Sequence, residues 1–335
     1  MTSRFGRFGA LWFAVVVALC CASCRSSSKA FLVYSKGSDI VSRTKDDYGV
    51  LNYATRQDLA VPQLTAEVSV AQFNHIVWAA WRVKANDATG SPQDIIKVTD
   101  TPASTRSPRA IHQGGAAESP VLVSLQERLH CFWTDGTRLR HKSTADGRTW
   151  TALKELEVPG SLRLMHLDVV VHQGVILLAA VLSDTPHRLF FGRINVDGSG
   201  VPAWGPTYVM SDAWSTAKNS VAITSDGSKA IMFFWAGPLL KMRESPDGVT
   251  GWGFPYTIMD YTPQVANAPT PPLGKLSTTF DRGSLHVVYW MGHRLWAPKR
   301  TPQGIWGAFT VLADESSFAS DPFPDIVCIE LIRSL

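Results

Sequence analysis

The segment Arg140–Trp150 constrains the fold more than any other part of the sequence. It places Asp146 and Gly147 between two stretches of strand-forming residues, and it ends in a tryptophan. An aspartate carboxylate accepts hydrogen bonds from the backbone of its own turn, and glycine adopts the positive φ that a residue with a Cβ resists. The segment is therefore predicted to be a tight β-hairpin.

The hairpin pattern occurs twice more along the chain. The copies contain Asp247, Gly248 and Trp252 in one case, and Gln303, Gly304 and Trp306 in the other, where glutamine replaces the aspartate. Each copy lies in a longer repeat of about fifty residues, which is a period typical of propellers and solenoids. Every repeat reads as four short strands separated by turns, and the second strand ends in aromatic residues.

Two incomplete repeats lie at the ends of the chain. Residues 31–58 resemble strands two to four of a repeat, and residues 325–331 resemble a first strand with nothing after it. Pairing the two ends completes one repeat and leaves no exposed sheet edge. The sequence therefore predicts an all-β fold, a six-bladed β-propeller of four-stranded antiparallel blades closed by pairing the N- and C-terminal strands. Five blades with irregular ends is the alternative.

The amino terminus has the layout of a secretory leader. Arg4 and Arg7 precede an apolar run that ends at Cys21 and is too short to span a bilayer. The small residues before Cys24 resemble a bacterial lipoprotein signal, which implies Cys24 as a lipidation site, with plain secretion as the alternative. We expect a signal peptide over residues 1–23, a single propeller domain over residues 24–335, and a secreted or cell-envelope location.

Composition and motifs exclude several classes of function. The formal net charge of +4 falls close to neutral once the leader is removed, and no basic run is present, so we expect no nucleic-acid partner. The nine histidines have no zinc-binding spacing, and there is no phosphate-binding loop or nucleophile elbow. We therefore expect no metal and no cofactor. Cys131 and Cys328 lie in apolar strands and are predicted to be buried hydrophobic residues, with a disulfide between them as the alternative.

The hairpin at 144–150 resembles the Asp-box of sialidase-like β-propellers. In that family the box holds the outer hairpin of a blade away from the catalytic face. The resemblance implies a structural role for Asp146, Gly147, Trp150, Asp247, Gly248 and Trp252. The Arg-Ile-Pro motif of the sialidase first blade is absent between Phe31 and Tyr53, so only the hairpins carry over.

The repeat is also similar to that of fucose-binding and related propeller lectins. The resemblance implies a ligand held between adjacent blades by an arginine, a glutamate and a tryptophan or tyrosine. Such residues suit a sugar, since its C–H faces pack on aromatic rings and its hydroxyls bond to charged groups. The candidates are Arg140 with Trp150, Arg243 and Glu244 with Trp252, and Arg300 with Trp296 or Trp306. The alternative role for the tryptophans is packing between blades.

We therefore expect a lectin-like propeller that binds a glycan or cell-surface saccharide in inter-blade pockets. One alternative is a sialidase-like glycoside hydrolase with paired carboxylates at the central channel, a geometry that glycosidases require. The acids available for such a pair are Glu67, Glu118, Asp168 and Asp325. Another alternative is a propeller that binds a protein partner. A membrane contact is expected only through the lipid anchor.

Overall fold

A computed structural model describes most of the chain. The described backbone comprises residues 27–36, 39–45, 55–60, 64–100, 108–215, 221–260, 276–281, 283–291, 294–308, 310–314 and 324–331, with side chains over 68–100, 108–211, 221–260, 276–280, 283–289 and 296–308. In this part of the chain, strands form six antiparallel sheets, named here sheets I to VI. The predicted all-β class is confirmed. No helix that could cross a membrane occurs among the described residues.

Sheets I to III take their strands in order from the first half of the chain. Sheet I contains β1 (Ser27–Lys36), β2 (Asp39–Lys45) and β3 (Thr55–Ala60). Sheet II contains β4 (Leu64–Phe73), β5 (Ile76–Asn86), β6 (Pro92–Asp100) and β7 (Arg109–Gly114). Sheet III contains β8 (Glu118–Leu125), β9 (Arg128–Thr134), β10 (Arg138–Thr144) and β11 (Lys154–Glu157).

Sheets IV to VI follow after a short 3₁₀ turn at Pro159–Ser161. Sheet IV contains β12 (Leu164–His172), β13 (Val175–Leu182), β14 (His187–Val196) and β15 (Pro202–Ser215). Sheet V contains β16 (Val221–Ser225), β17 (Ala230–Ala236), β18 (Leu239–Ser245) and β19 (Tyr256–Asp260). Sheet VI contains β20 (Leu276–Asp281), β21 (Ser284–Met291), β22 (Arg294–Ala297), β23 (Lys299–Arg300) and β24 (Thr310–Asp314).

The last strand of the chain, β25 (Pro324–Leu331), joins the first sheet. It pairs antiparallel with β1, so that Ser27 lies opposite Leu331 and Tyr34 opposite Pro324. The first strands of the sheets also lie side by side. β4 contacts β8, β8 contacts β12, β12 contacts β16, β16 contacts β20, β20 contacts β25, and β25 contacts β4. The sheets are thus arranged around a common centre formed by their first strands.

The second strand of a sheet is buried on both faces. In β13 seven consecutive residues, from Ile176 to Leu182, are buried, and β9 is buried from Leu129 to Thr134. A short, continuous apolar run of this kind is typical of a strand with a packed layer on each side. The outer strand β11 is mostly exposed, since it lies at the rim. The apolar cores therefore lie between sheets.

Four apolar clusters fill the spaces between consecutive sheets. They lie between sheets II and III, III and IV, IV and V, and V and VI. Large aromatic side chains on the second strands are fully buried: Trp81, Trp133, Trp235 and Tyr289. Trp235 meets Tyr289 edge to face across sheets V and VI, with ring centroids 5.6 Å apart. Cys131 is fully buried and carries a free thiol whose pKa is raised by burial, as expected for an apolar strand residue.

The Asp-Gly turns contact the neighbouring sheet. Gly147 has a φ of +71°, and a Cβ there would lie 2.3 Å from the Trp78 ring in sheet II. Gly248 has a φ of +73°, and a Cβ there would lie 1.9 Å from a methyl carbon of Leu177 in sheet IV. Glycine is required at both positions because it alone combines the left-handed backbone with this close approach.

The third strand of sheet VI differs from the single strand that the sequence suggested. It is divided into β22 and β23 on either side of Pro298. Proline has no N–H to donate to a strand ladder, so it interrupts pairing. The Pro298 carbonyl still accepts a hydrogen bond from Val287 N at 3.2 Å. The break brings Arg300 into position for a β-bridge with Trp306.

Candidate functional site

The carboxylate of Asp146 is committed to its own turn. Its Oδ1 accepts hydrogen bonds from the backbone N–H groups of Arg148 and Thr149, both at 2.7 Å, and from the Thr144 hydroxyl at 2.9 Å. The same hydroxyl accepts a bond from Gly147 N at 2.9 Å. The backbone bonds from Thr149 and Arg148 hold the pKa of Asp146 well below its usual range. This carboxylate therefore stabilises the hairpin.

Asp247 makes the same set of bonds in sheet V. Its Oδ1 accepts from the backbone N–H groups of Val249 at 2.9 Å and Thr250 at 2.7 Å, and from the Ser245 hydroxyl at 3.0 Å. That hydroxyl accepts from Gly248 N at 2.9 Å. Partial desolvation acts to raise the pKa of Asp247, but the hydrogen bonds from Thr250 and Val249 outweigh it and lower the pKa to about 2.

A cleft of about 410 Å³ lies between the outer parts of sheets V and VI. Sheet V and the loop after β18 contribute one wall, and the loop after β23 contributes the other. The lining residues are Met242, Arg243, Glu244, Gly253, Phe254, Tyr256, Arg300, Gly304 and Trp306. The cleft thus combines two arginines and a glutamate with three aromatic side chains.

Glu244 links the two sheets at this cleft. Its Oε1 lies 3.3 Å from Arg300 Nη1 in sheet VI, and its Oε2 lies 2.7 Å from Lys229 Nζ in sheet V. The hydrogen bond from Lys229 to Glu244, together with the charge of Glu244, raises the pKa of Lys229. Arg300 also donates from Nε to the Gly304 carbonyl at 3.2 Å. These bonds fix the two charged groups that face the cleft.

Aromatic side chains form the apolar part of the cleft. Phe254 is 98% exposed and Tyr256 is 57% exposed, which is unusual for rings of this size. Trp306 is partly buried and meets Phe233 edge to face, with ring centroids 6.3 Å apart. The cleft therefore offers open aromatic faces beside a charged pair.

Residues predicted as one set are divided between different surroundings. Arg243 is buried, with 5% of its surface exposed, and Glu244 beside it is partly exposed, since successive residues of a strand point to opposite faces. Trp252 packs on Phe191 in sheet IV, with ring centroids 4.7 Å apart. Of its predicted set, Glu244 shares the cleft with Arg243 only, and the cleft also contains Arg300 and Trp306 of the next predicted set.

The remaining inter-blade candidates pack within the protein. Arg140 forms ion pairs inside sheet III with Asp135 at 3.1 Å and Glu155 at 3.0 Å. Trp150 packs on the cluster between sheets II and III, and Trp296 packs on the one between sheets V and VI.

Asp168 lies at the centre of the sheet arrangement. It contributes to a cavity of about 230 Å³ lined by β4, β8, β12, β16 and β20. Its Oδ2 accepts a hydrogen bond from Ile223 N in β16 at 2.8 Å, and its Oδ1 accepts one from Val169 N at 3.0 Å. Both oxygens thus bond to backbone groups, and one of these bonds joins two first strands.

The other acids proposed for the channel mouth are placed differently or lie outside the description. Glu118 has a half-exposed side chain 3.7 Å from Arg82 Nη1. The side chains of Glu67 and Asp325, and all of Cys24, lie outside the described residues. Among the described residues no group of three or more histidine, cysteine, aspartate or glutamate side chains is placed to hold a metal ion.

A buried pair of histidines in sheet III was not singled out from the sequence. His130 Nδ1 lies 3.0 Å from His141 Nε2, and His130 Nε2 lies 3.3 Å from the Leu125 carbonyl. The carbonyl accepts only, so His130 donates to it from Nε2 and accepts from His141 at Nδ1. Burial lowers the pKa of His130 to about 4, and burial together with the charges of His130 and Arg128 lowers that of His141 to about 3.

Three further residues were missed from the sequence: Phe254 and Tyr256, which line the cleft, and Lys229, which bonds to Glu244. Phe254 and Tyr256 follow Trp252 in a Gly-Phe-Pro-Tyr run. Large aromatic residues beside glycine and proline, two residues that disfavour the interior of a strand, are the available signal. Lys229 carries no local signal, because its role depends on Glu244 in another strand.

The sequence matches no protein-family model and no curated protein. Solved structures match its fold. A triple-arginine mutant of AofleA from Arthrobotrys oligospora has a TM-score of 0.56 at 12% identity, covering 92% of this chain and 91% of that one. An α-L-arabinanase from Penicillium chrysogenum complexed with arabinobiose has a TM-score of 0.50 at 14% identity, covering 75% and 81%.

The NanB sialidase from Streptococcus pneumoniae has a TM-score of 0.54 at 10% identity, covering 78% of this chain and 63% of that one. This chain has a β-propeller fold. The propeller is sialidase-like in architecture, as the resemblance of its hairpins implied. At these identities the likeness concerns the fold alone, because one fold supports many functions.

Proposed function

We propose that this propeller binds carbohydrate, and that the sugar occupies the cleft between sheets V and VI. The observation that carries the proposal is the Glu244–Arg300 pair, which faces the same cleft as Tyr256 and Trp306. A sugar presents C–H groups on one face and hydroxyls around its edge, so it needs an aromatic surface beside charged hydrogen-bonding groups. Each wall of the cleft contributes both kinds of group, with Glu244 and Tyr256 on one wall and Arg300 and Trp306 on the other.

The charged pair suits hydroxyl recognition because it is fixed before a ligand arrives. Arg300 is held by Glu244 and by the Gly304 carbonyl, and Glu244 is held by Lys229. A sugar hydroxyl accepts from a guanidinium and donates to a carboxylate, so vicinal hydroxyls bond to both members of the pair. Preorganised side chains lose little conformational entropy on binding. The volume of about 410 Å³ falls within the usual range of small-ligand pockets, about 300–1,000 Å³.

The proposed architecture is a six-bladed ring with Asp-box hairpins. The order of contacts between first strands and the pairing of β25 with β1 support a ring closed by the chain ends. The bonds made by Asp146 and Asp247 support Asp-boxes in sheets III and V. We place the propeller domain at residues 24–335.

The proposed location is outside the cytoplasm. The leader at residues 1–23, with Cys24 as the site of a lipid anchor, is the feature that supports it. A secreted or cell-envelope protein of this kind meets glycans of other cells and of the surrounding matrix. The arabinanase of similar fold is complexed with arabinobiose, and NanB is a sialidase, which agrees with a saccharide partner for this chain.

The proposal is tested by a glycan array screened with protein that begins at Ser26. We expect binding that falls at least tenfold in Arg300→Ala and in Glu244→Gln, since each removes one member of the pair. Arg138→Ala is the matched control, because it removes an arginine whose pair with Glu155, at 2.8 Å, lies away from the cleft in sheet III. Equal binding by all four proteins would contradict the proposed site.

Fluorogenic sialosides, fucosides and galactosides run beside the array separate binding from hydrolysis. Binding without turnover is the expected result. If the unaltered protein turns over a substrate and Asp168→Asn does not, the protein is a glycoside hydrolase that reacts at the central cavity, and the lectin proposal is wrong. Silence in both assays would favour a protein partner.

A further inference from the structure

A second cleft lies against the first, on the other side of Glu244 and Arg300. Its volume is about 310 Å³, and it shares Glu244, Arg300 and Gly304 with the aromatic cleft. Its other lining residues come from turns and strand ends of sheets V and VI: Asp226, Lys229, Ile231, Phe280, Gly283, Leu285, Thr301 and Pro302. We call it the polar cleft. The Glu244–Arg300 pair is therefore a wall common to two cavities.

We propose that the polar cleft is a second sugar subsite, so that the ligand is an oligosaccharide of at least two residues whose second residue is uncharged. This inference rests on the proposed function, because it assigns the first residue to the aromatic cleft. The linkage between the two residues passes beside Glu244 and Arg300, which then contact both sugars.

The volumes support two residues rather than one. At about 410 and 310 Å³, each cleft reaches the size of pockets that hold a small ligand, about 300–1,000 Å³. One sugar placed on Tyr256 and Trp306 leaves the polar cleft to solvent. A second residue fills it without any rearrangement of the shared wall.

The charges of the polar cleft support an uncharged residue there. Lys229 and Arg300 are its cations, and both are paired with Glu244. Asp226 adds a second carboxylate, which accepts bonds from Ser228 N at 2.8 Å and Lys229 N at 2.6 Å. Two cations and two anions cancel. An anionic sugar meets two carboxylates and gains no net attraction, whereas a hydroxyl donates to one group and accepts from another.

The two clefts also differ in the sugar surface that they recognise. The aromatic cleft has Phe254, Tyr256 and Trp306 for a C–H face. In the polar cleft the aromatic residue is Phe280, which is partly buried and packs against the core between sheets V and VI. Recognition in the polar cleft therefore rests on hydroxyl groups bonded to Lys229, Asp226 and the shared pair.

The test compares one-residue and longer probes by isothermal titration calorimetry. The short probes are the methyl glycosides of fucose, galactose and arabinose, and the long ones are 2′-fucosyllactose, lactose and arabinobiose. We expect at least one long probe to bind tenfold more tightly than its methyl glycoside. Lys229→Met is expected to lower the affinity for that long probe at least fivefold more than the affinity for its methyl glycoside, because Lys229 lines the polar cleft and acts on the aromatic cleft only by holding Glu244.

Lys154→Met, at an exposed residue of β11 in sheet III, is the matched control and keeps the full gain. Equal affinity for short and long probes, or an equal gain in both variants, would overturn the second subsite and leave the proposed function standing. Failure of every saccharide to bind the unaltered protein would overturn both. Binding of 3′-sialyllactose tenfold tighter than lactose would overturn the uncharged assignment.

Discussion

The buried histidine pair predicts a loss of stability in mild acid. His130 and His141 are fully buried and neutral in the folded protein, where their pKa values are about 4 and about 3. In the unfolded chain a histidine has a pKa of about 6.5. The unfolded state therefore binds more protons than the folded state between pH 6.5 and 4, and stability falls as the pH falls through this range.

The magnitude follows from the cost of keeping both rings neutral. At pH 5 protonation stabilises an unfolded histidine with a pKa of 6.5 by about 2 kcal/mol, and at pH 8 it contributes almost nothing. The folded rings gain little at pH 5 because their pKa values lie below it. The pair thus lowers the free energy of unfolding by about 4 kcal/mol between pH 8 and pH 5. This is a large part of the roughly 5–15 kcal/mol by which folded proteins are stable.

The assay is urea unfolding at pH 8 and pH 5, followed by tryptophan fluorescence, on the unaltered protein and on His141→Gln. The glutamine amide still donates to His130 Nδ1 but does not titrate, so the loss of unfolding free energy on acidification shrinks by about 2 kcal/mol. His75→Gln, at an exposed turn residue, is the control and leaves the loss unchanged.

Comparing the acid-induced loss in the unaltered protein with that in His141→Gln isolates the contribution of the histidine pair. Carboxylates and the other histidines contribute equally to the pH dependence of both proteins. An acid-induced loss in His141→Gln as large as that of the unaltered protein would refute the reasoning. It would mean that His141 is charged in the folded state or that another group carries the pH dependence.

Three further predictions concern the hairpins and the core. Gly248→Ala is expected to cost roughly 2–4 kcal/mol, because strain at positive φ adds to overpacking against Leu177, whereas Gly227→Ala, at φ +90° with open space around it, costs about 1 kcal/mol. Urea midpoints of the two variants check this, and equal costs would contradict the close approach. Trp133→Ala is expected to cost about 3–5 kcal/mol by opening a cavity between sheets II and III, again measured by urea unfolding; a cost below 1 kcal/mol would contradict complete burial. Asp247→Asn is expected to lower the melting temperature at pH 7, and the difference from the unaltered protein shrinks as the pH falls from about 4 through about 2. The pKa of Asp247 is lower in the folded protein than in the unfolded chain. Its carboxylate therefore contributes to stability in full above the unfolded pKa, and this contribution is lost below the folded pKa. A difference that stays constant down to pH 2 would show that the charge is not what stabilises the turn.

The strands and hairpin turns could be predicted from the sequence because the interactions that specify them are local. Asp146 and Gly147 specify a turn through bonds to their own neighbours, and the structure contains those bonds. The apolar run of β9 specifies a strand buried on both faces for the same reason. The division of the third strand in sheet VI was missed, although its cause is also local, since Pro298 has no N–H to donate.

The candidate site could be predicted only in part, because it depends on how two neighbouring sheets are aligned with each other. Chain proximity grouped Glu244 with Trp252, but Trp252 packs towards sheet IV and Glu244 bonds to Arg300 in sheet VI. No local pattern states which residue of one sheet meets which residue of the next. The histidine pair was missed for a related reason, since His130 and His141 meet across two strands whose register is set by the turn between them.

The contact of each Asp-Gly turn with the neighbouring sheet has a consequence for how this protein tolerates length changes. Gly147 rests on Trp78 and Gly248 on Leu177, so the tip of each hairpin fills part of a seam between two sheets. One residue added at either tip moves the glycine off its contact and opens the seam. The turn at Gly90 has open space around it and lies in neither cleft, so it accepts added residues without that penalty. Loop grafts and reporter insertions therefore belong at Gly90 and not at the hairpin tips of Gly147 and Gly248.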